Sequence, residues 1–216
     1  MTTIAIIGAG PGLGAAVARR FGAEGFSVAL ISRSPGALAT ALAGEGLDTR
    51  GYAADVRDRD ALAGALDSAG QELGPIEVLE YSPIPHRDFL RPVLDTTAAD
   101  VAGAVEFSIF GPLTAVRQVL PGMRALGRGT ILFANGGSGA RPNPAVAGTS
   151  IAFAGEGAYA TMLHTVLAPE NVHVGQLIIP GAITAGDPRT DPAVLAGTLW
   201  GMHTSRDEFR VFARPL

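Results

Sequence analysis

The 216-residue chain is 47% hydrophobic and 17% charged, a balance that excludes a disordered polymer and suits one domain with a sizeable core. Its net charge of −4 argues against a nucleic-acid or anionic-membrane surface, and the absence of cysteine excludes disulfides and thiol chemistry. All 16 basic residues are arginine, so no lysine is available to any site.

A short apolar run at 4–7 leads into glycines at Gly8, Gly10, Gly12 and Gly14, and an amphipathic stretch, 15–24, follows. A buried strand turning through glycines into a helix is the unit that cradles a pyrophosphate. The glycines bring main-chain N–H groups close to the phosphates, and the helix N-terminus adds about half a positive charge. Residues 27–32 read as a second buried strand, and Pro35 opens a helix through Leu42. A third strand, 49–53, ends at Asp55-Val56; residues 60–73 carry Leu62, Leu66, Ala69 and Leu73 at helical spacing. After Gly74-Pro75 comes a fourth strand, 76–81, and then a loop, 82–88.

Residues 95–120 are expected to hold a short helix and a long one, bent at Gly111-Pro112. A fifth strand, 129–134, is followed by a glycine-rich loop, 135–143, and a second long helix, 146–167. The sixth strand is 173–179; a loop from Pro180 to Pro192, a helix at 193–203 and an edge strand at 209–212 complete the chain. Apolar strands alternating with helices predict a doubly wound, Rossmann-type parallel sheet covered on both faces, as a single α/β domain over 1–216. No basic leader precedes the first strand and no uncharged apolar run is long enough to span a bilayer, so the expectation is a cytoplasmic protein.

The order of these landmarks resembles the short-chain dehydrogenase/reductase superfamily over essentially the whole chain. Gly8, Gly12 and Gly14 match its opening Thr-Gly-x-x-x-Gly-x-Gly, with Ile7 where threonine is usual. Asp55-Val56 matches the family's aspartate that contacts adenine, and Pro180-Gly181 its Pro-Gly after the sixth strand. Ile183 then falls where the family's backbone meets the nicotinamide carboxamide, and Ala185 where it has a threonine, with Thr184 one place early. The resemblance and the glycine turn together imply a cofactor set of Gly8, Gly10, Gly12, Leu13, Gly14, Ser32, Arg33, Asp55, Val56, Ser82, Pro180, Gly181 and Ile183. At the end of the second strand, where NAD enzymes place an acid, stand Ser32, Arg33 and Ser34. A guanidinium flanked by hydroxyls suits a 2′-phosphate, which favours NADP(H) over NAD(H).

The proton-handling positions depart from the family. Its Tyr-x-x-x-Lys falls on Thr149 and Phe153, its serine on Gly136 with Ser138 two places later, and its asparagine on Ser108. Its Asn-Asn-Ala-Gly reads Tyr81-Ser82-Pro83-Ile84. Candidate replacements are Tyr81, Ser108, Ser138 and Thr149, with Tyr81 first as an acid because it ends a central strand. Asn135, Arg141, Asn143 and His86 are further polar groups expected near the crevice, each with a structural role as the alternative. Tyr159 lies too far along its helix, about 15 Å of rise beyond Thr149, to serve the same substrate.

His164, His173 and His203 are scattered, so no metal is expected. Glu106 is expected to be solvated or to touch a second subunit. Small residues on the two long helices favour a homodimer or homotetramer built through them. The loop from Thr184 to Pro192 is short for the family's substrate lid, which implies an open or small pocket for a small-molecule substrate. Three readings follow: an atypical NADP(H)-dependent oxidoreductase, a silent NADP(H)-binding protein, or a lyase or isomerase reusing the crevice.

Overall fold

The computed structural model describes residues 2–216. In chain order the elements are β1 (Thr3–Ile7), α1 (Leu13–Ala23), β2 (Ser27–Ser32), α2 (Gly36–Gly44), β3 (Thr49–Ala53), α3 (Arg59–Leu73) and β4 (Ile76–Tyr81). They continue with α4 (Ala98–Val105), α5 (Gly111–Leu126), β5 (Gly129–Gly136), α6 (Ala147–Leu167), β6 (Val172–Ile179), α7 (Pro192–Ser205) and β7 (Arg210–Phe212). The seven strands form one sheet in the order β3-β2-β1-β4-β5-β6-β7, and each pairing is parallel. Chain order reverses between β1 and β4, and the crevice at the carboxyl ends of the strands opens there.

Two apolar layers sandwich the sheet. One joins Val17 and Phe21 of α1 and Leu195 and Leu199 of α7 to Ile4, Ile6, Val78 and Leu132. The other joins Leu62 and Leu66 of α3 and Val116 and Val119 of α5 to Ile7, Leu79, Tyr81 and Phe133. Strands buried on both faces explain their continuous apolar sequences. The edge strands are the exceptions: Arg50, Gly51 and Ala53 of β3 and Arg210 and Phe212 of β7 are exposed.

Two boundaries differ from expectation for identifiable reasons. β5 runs on through Asn135 and Gly136, which pair with Ile178 and Ile179 instead of joining the following loop. The two helices before β5 meet in a π-helical turn, Glu106–Phe110. Pro112 has no N–H to offer there, and the Gly111 N–H reaches back five residues to the Glu106 carbonyl. Counted as one, the helix Ala98–Leu126 is long and apolar enough by length and composition to cross a membrane, although Asp100, Glu106, Arg117 and Arg124 interrupt it so that it holds no long uncharged run. Its buried side chains, among them Ala104, Phe107, Val116, Val119 and Met123, belong to the sheet-facing apolar layer.

Candidate active site

The β1–α1 turn gathers unpaired donors at the start of a helix. Gly8 and Ala9 donate their N–H groups to the Ile31 carbonyl, and Ala15 and Ala16 donate to Gly10 and Gly12. The N–H groups of Gly10, Gly12, Leu13 and Gly14 are left with no acceptor among the described residues. These are the orphan donors of a helix start, gathered where the macrodipole is positive.

The glycines divide into two kinds. A Cβ at Gly8, whose φ is +91°, would stand 2.3 Å from Pro83 Cα, and one at Gly14 would stand 2.9 Å from Ala9 Cα. Those two glycines serve the chain's own packing. At Gly12 a Cβ would meet nothing within 4 Å, and at Gly10 only the Gly8 carbonyl at 3.9 Å. The space above Gly10 and Gly12 is therefore open, as an approaching diphosphate requires.

Beside the turn lies a cavity of about 760 Å³ that brings together Gly8, Gly10, Ser32, Arg33, Asp55 and Val56. Sequence reasoning assigned all six to the cofactor. Pro83, Pro85, Phe89 and Phe107 supply an apolar wall, which suits a flat heterocycle. Arg33 is exposed, and among the described residues it makes no hydrogen bond or ion pair. Arg57, also in the cavity, is engaged: its Nε and Nη2 donate to Glu106 Oε2 at 2.9 and 2.7 Å. Glu106 is thus held within the chain. Leu13 is buried in the α1 core, and the Ser82 N–H extends the ladder by donating to the Ile7 carbonyl at 3.0 Å.

Pro180, Gly181 and Ile183 follow β6 and are not among the residues that line this cavity. Pro180 abuts the Gly137–Gly139 turn: a Cβ at Gly137 would stand 3.2 Å from its Cα. Ser138 in that turn lies 3.4 Å from Thr149 at the start of α6, hydroxyl to hydroxyl. Thr149 in turn donates to the Val146 carbonyl at 3.1 Å. Two of the four candidate replacements are therefore adjacent. Phe153, one turn further along α6, is buried and packs on Gly139, where a Cβ would stand 2.7 Å from its own Cβ.

The remaining assignments need correction. Tyr81 cannot act as an acid in the crevice. It is 1% exposed, and its hydroxyl donates to the Phe107 carbonyl. Phe107 would bond Gly111 in a regular α-helix, but the π turn redirects that donor to Glu106 and leaves the carbonyl to Tyr81. Burial, and then the carboxylates of Glu156 and Asp55, raise the phenol well above its usual pKa.

Ser108 is buried inside the π turn. Asn135 has both amide atoms committed, donating to Glu156 Oε1 at 2.9 Å and accepting from Gln176 at 3.5 Å. Asn143 closes a turn with Ala145 before α6. His86 lines the cavity but is exposed and paired with Asp88 at 3.1 Å.

Besides Glu77, which is paired with Arg128, two buried carboxyls with no cation partner among the described residues escaped the sequence reading. Glu80 and Glu156 are 0% and 2% exposed, and burial pushes each up to about 8. Each had a signal: Glu80 interrupts an apolar strand, and Glu156 stands seven residues after Thr149, on the same side of α6.

A sequence profile of the family described as short chain dehydrogenase matches residues 2–190. The chain belongs to the short-chain dehydrogenase family. A relative, the 3-dehydrosphinganine reductase TSC10B of Arabidopsis thaliana, is 29% identical over 189 residues, which are 84% of this chain. The match spans 55% of that reductase. A short-chain dehydrogenase from Rhodopseudomonas palustris superposes with a TM-score of 0.87 at 28% identity, covering 100% of this chain and 99% of that one. A metagenomic short-chain oxidoreductase solved in complex with NADP superposes at 0.85 over 100% and 97% of the two chains; at 23% identity it shows the shared fold.

The residues present in the chain fit a dinucleotide. Free N–H groups and open space face the diphosphate position, and Asp55 and Arg33 stand in one cavity.

Proposed function

We propose that this short-chain dehydrogenase is an NADP(H)-dependent oxidoreductase for a small organic substrate, with non-standard groups handling the proton. The observation that carries the cofactor half is Arg33, which lines the cavity beside the N–H groups of the β1–α1 turn, neither having a partner among the described residues. The NADP complex of a protein with the same fold supports it. The cofactor, when bound, supplies hydride chemistry.

The chain's own part is to hold and orient. Gly10, Gly12, Leu13 and Gly14 offer N–H groups to the diphosphate, and Arg33 with Ser32 offers donors to a ribose phosphate. The Ser138 and Thr149 hydroxyls are a pair suited to orienting a substrate oxygen. The Thr149 hydroxyl already donates its hydrogen bond to the Val146 carbonyl, and with Tyr81 sealed in the core the proton comes from water or from the substrate.

NADPH and NADH titrated by fluorescence test this reading. NADPH is expected to bind at least tenfold tighter, a gap of about 1.4 kcal/mol, and Arg33→Ala is expected to remove that preference while leaving NADH unchanged. Equal affinity in the parent protein would defeat the argument from Arg33.

A second reading, binding without turnover, is favoured by Phe153, whose packed ring stands in the lysine position. NADPH offered with carbonyls, imines and activated alkenes separates the two. Oxidation of the cofactor by any of them supports the oxidoreductase. Assembly through the long helices fits either reading, because Ile151, Met162 and Val166 of α6 are 51%, 61% and 60% exposed. Light scattering after gel filtration reads the subunit number.

A further inference from the structure

The carboxyl end of β4 holds two buried polar side chains that the site above does not use. Glu80 is fully buried and, among the described residues, neither carboxyl oxygen has a partner at hydrogen-bond geometry; the buried Ser82 hydroxyl, one pleat further on, is the polar group beside it and only partly offsets the upward push of burial on its pKa. Successive even positions of β4 point to one face. Glu80 stands in register with Ile6 and Leu132, which belong to the layer that also holds Ala9 and Leu13. The carboxyl therefore lies on the α1 side of the sheet, at the β1–β4 reversal, paired in register with Ile6 two residues before the turn that offers the free N–H groups.

No cation of the packed elements answers it. On α1, Arg19 pairs with Glu45 and Arg20 with Glu24. On α7, Asp191 caps its own helix, and His203 bonds Thr130 at the other end of β5. Within β4, Glu77 is paired with Arg128 at the strand's start. The positive N-terminus of α1 is the remaining source of positive potential.

We propose that Glu80 couples dinucleotide binding to a proton: the chain grips the diphosphate with the Glu80 carboxyl protonated, and the grip loosens when that carboxyl ionises. A carboxylate beside the strand that leads into the turn and a diphosphate at the turn draw on the same helix terminus and repel each other through a dry interior. Burial holds the carboxyl to about 8, so the switch lies within reach of solution experiments. The proposal rests on the dinucleotide reading given above.

The experiment is NADPH titration from pH 6.5 to 9.5, followed by fluorescence, for the parent protein and Glu80→Gln together. Running them in parallel cancels the titration of the ribose phosphate itself. The parent is expected to lose about tenfold more affinity across the range than the glutamine variant, the change that one pKa unit of coupling produces. Calorimetry near pH 8 in two buffers of different ionisation heat is expected to show proton uptake by the parent. Superimposed pH profiles, or binding without proton uptake, overturn the role of Glu80 and leave the cofactor reading standing. Absence of NADPH binding at every pH removes both. Should Glu80→Gln fail to fold, the proton count on the parent decides alone.

Discussion

At the scale of single residues, identity and availability part company. Tyr81 ends a central strand, which made it an attractive acid, but the parity of β4 sends its ring into the α5-side core beside Phe133. Its hydroxyl closes a carbonyl that would otherwise be buried and unpaired. Tyr81→Phe is therefore expected to cost about 1–3 kcal/mol in denaturant unfolding, the penalty of an orphaned buried acceptor, with NADPH affinity unchanged. A variant as stable as the parent would show that the Phe107 carbonyl finds another donor. Glu156 makes the complementary point. A charged letter on a helix suggests a wet surface, yet its carboxyl is enclosed and bonded to Asn135.

At the scale of elements, the β1–α1 turn reads correctly from sequence as a unit, but its glycines do two jobs that spacing does not separate. Gly14→Ala is expected to destabilise the fold by about 1–3 kcal/mol, because its Cβ would press on the Ala9 backbone. Gly12→Ala is expected to melt within a few degrees of the parent and bind NADPH at least tenfold more weakly, since the methyl group enters open space facing the diphosphate position. Melting curves and titrations on the two variants check the contrast. The π turn was legible only as a Gly-Pro disturbance. That Gly111 leaves room for the Tyr81 hydroxyl, where a Cβ would stand 2.3 Å away, depends on a strand distant in sequence.

At the scale of the whole molecule, buried titratable groups set how stability follows pH. Glu80 and Glu156 hold protons in the folded chain up to about 8 and release them near 4.5 when unfolded. Folding therefore takes up protons across that window, and the stability these groups contribute, complete at low pH, is lost as pH rises through 8. His173 has the opposite sign: burial lowers it from 6.5 to about 4, so its contribution is present above 6.5 and lost as pH falls towards 4. The unfolding free energy is expected to decline from pH 6.5 to about 8, where the carboxyls act alone, by up to about 1.4 kcal/mol per pH unit for each, and the melting temperature to fall with it. Glu156→Gln is expected to flatten that decline in calorimetric scans, and an unchanged slope would exclude Glu156 as its source.

The sequence by itself determined the order of strands and helices, the parallel sheet and the glycine turn that opens the chain. Those follow from local signals: apolar runs and glycines at a strand end. It also determined that no Tyr-Lys pair exists, because the chain has no lysine. Tertiary structure alone decided which polar groups face the crevice and which face the core. Strand parity, helix phase and the π turn at Pro112 combine to bury Tyr81, Ser108, Glu80 and Glu156 while bringing Ser138 to Thr149. Orientation of that kind arises from the packing of segments far apart in the chain, and a linear pattern of residues does not encode it locally.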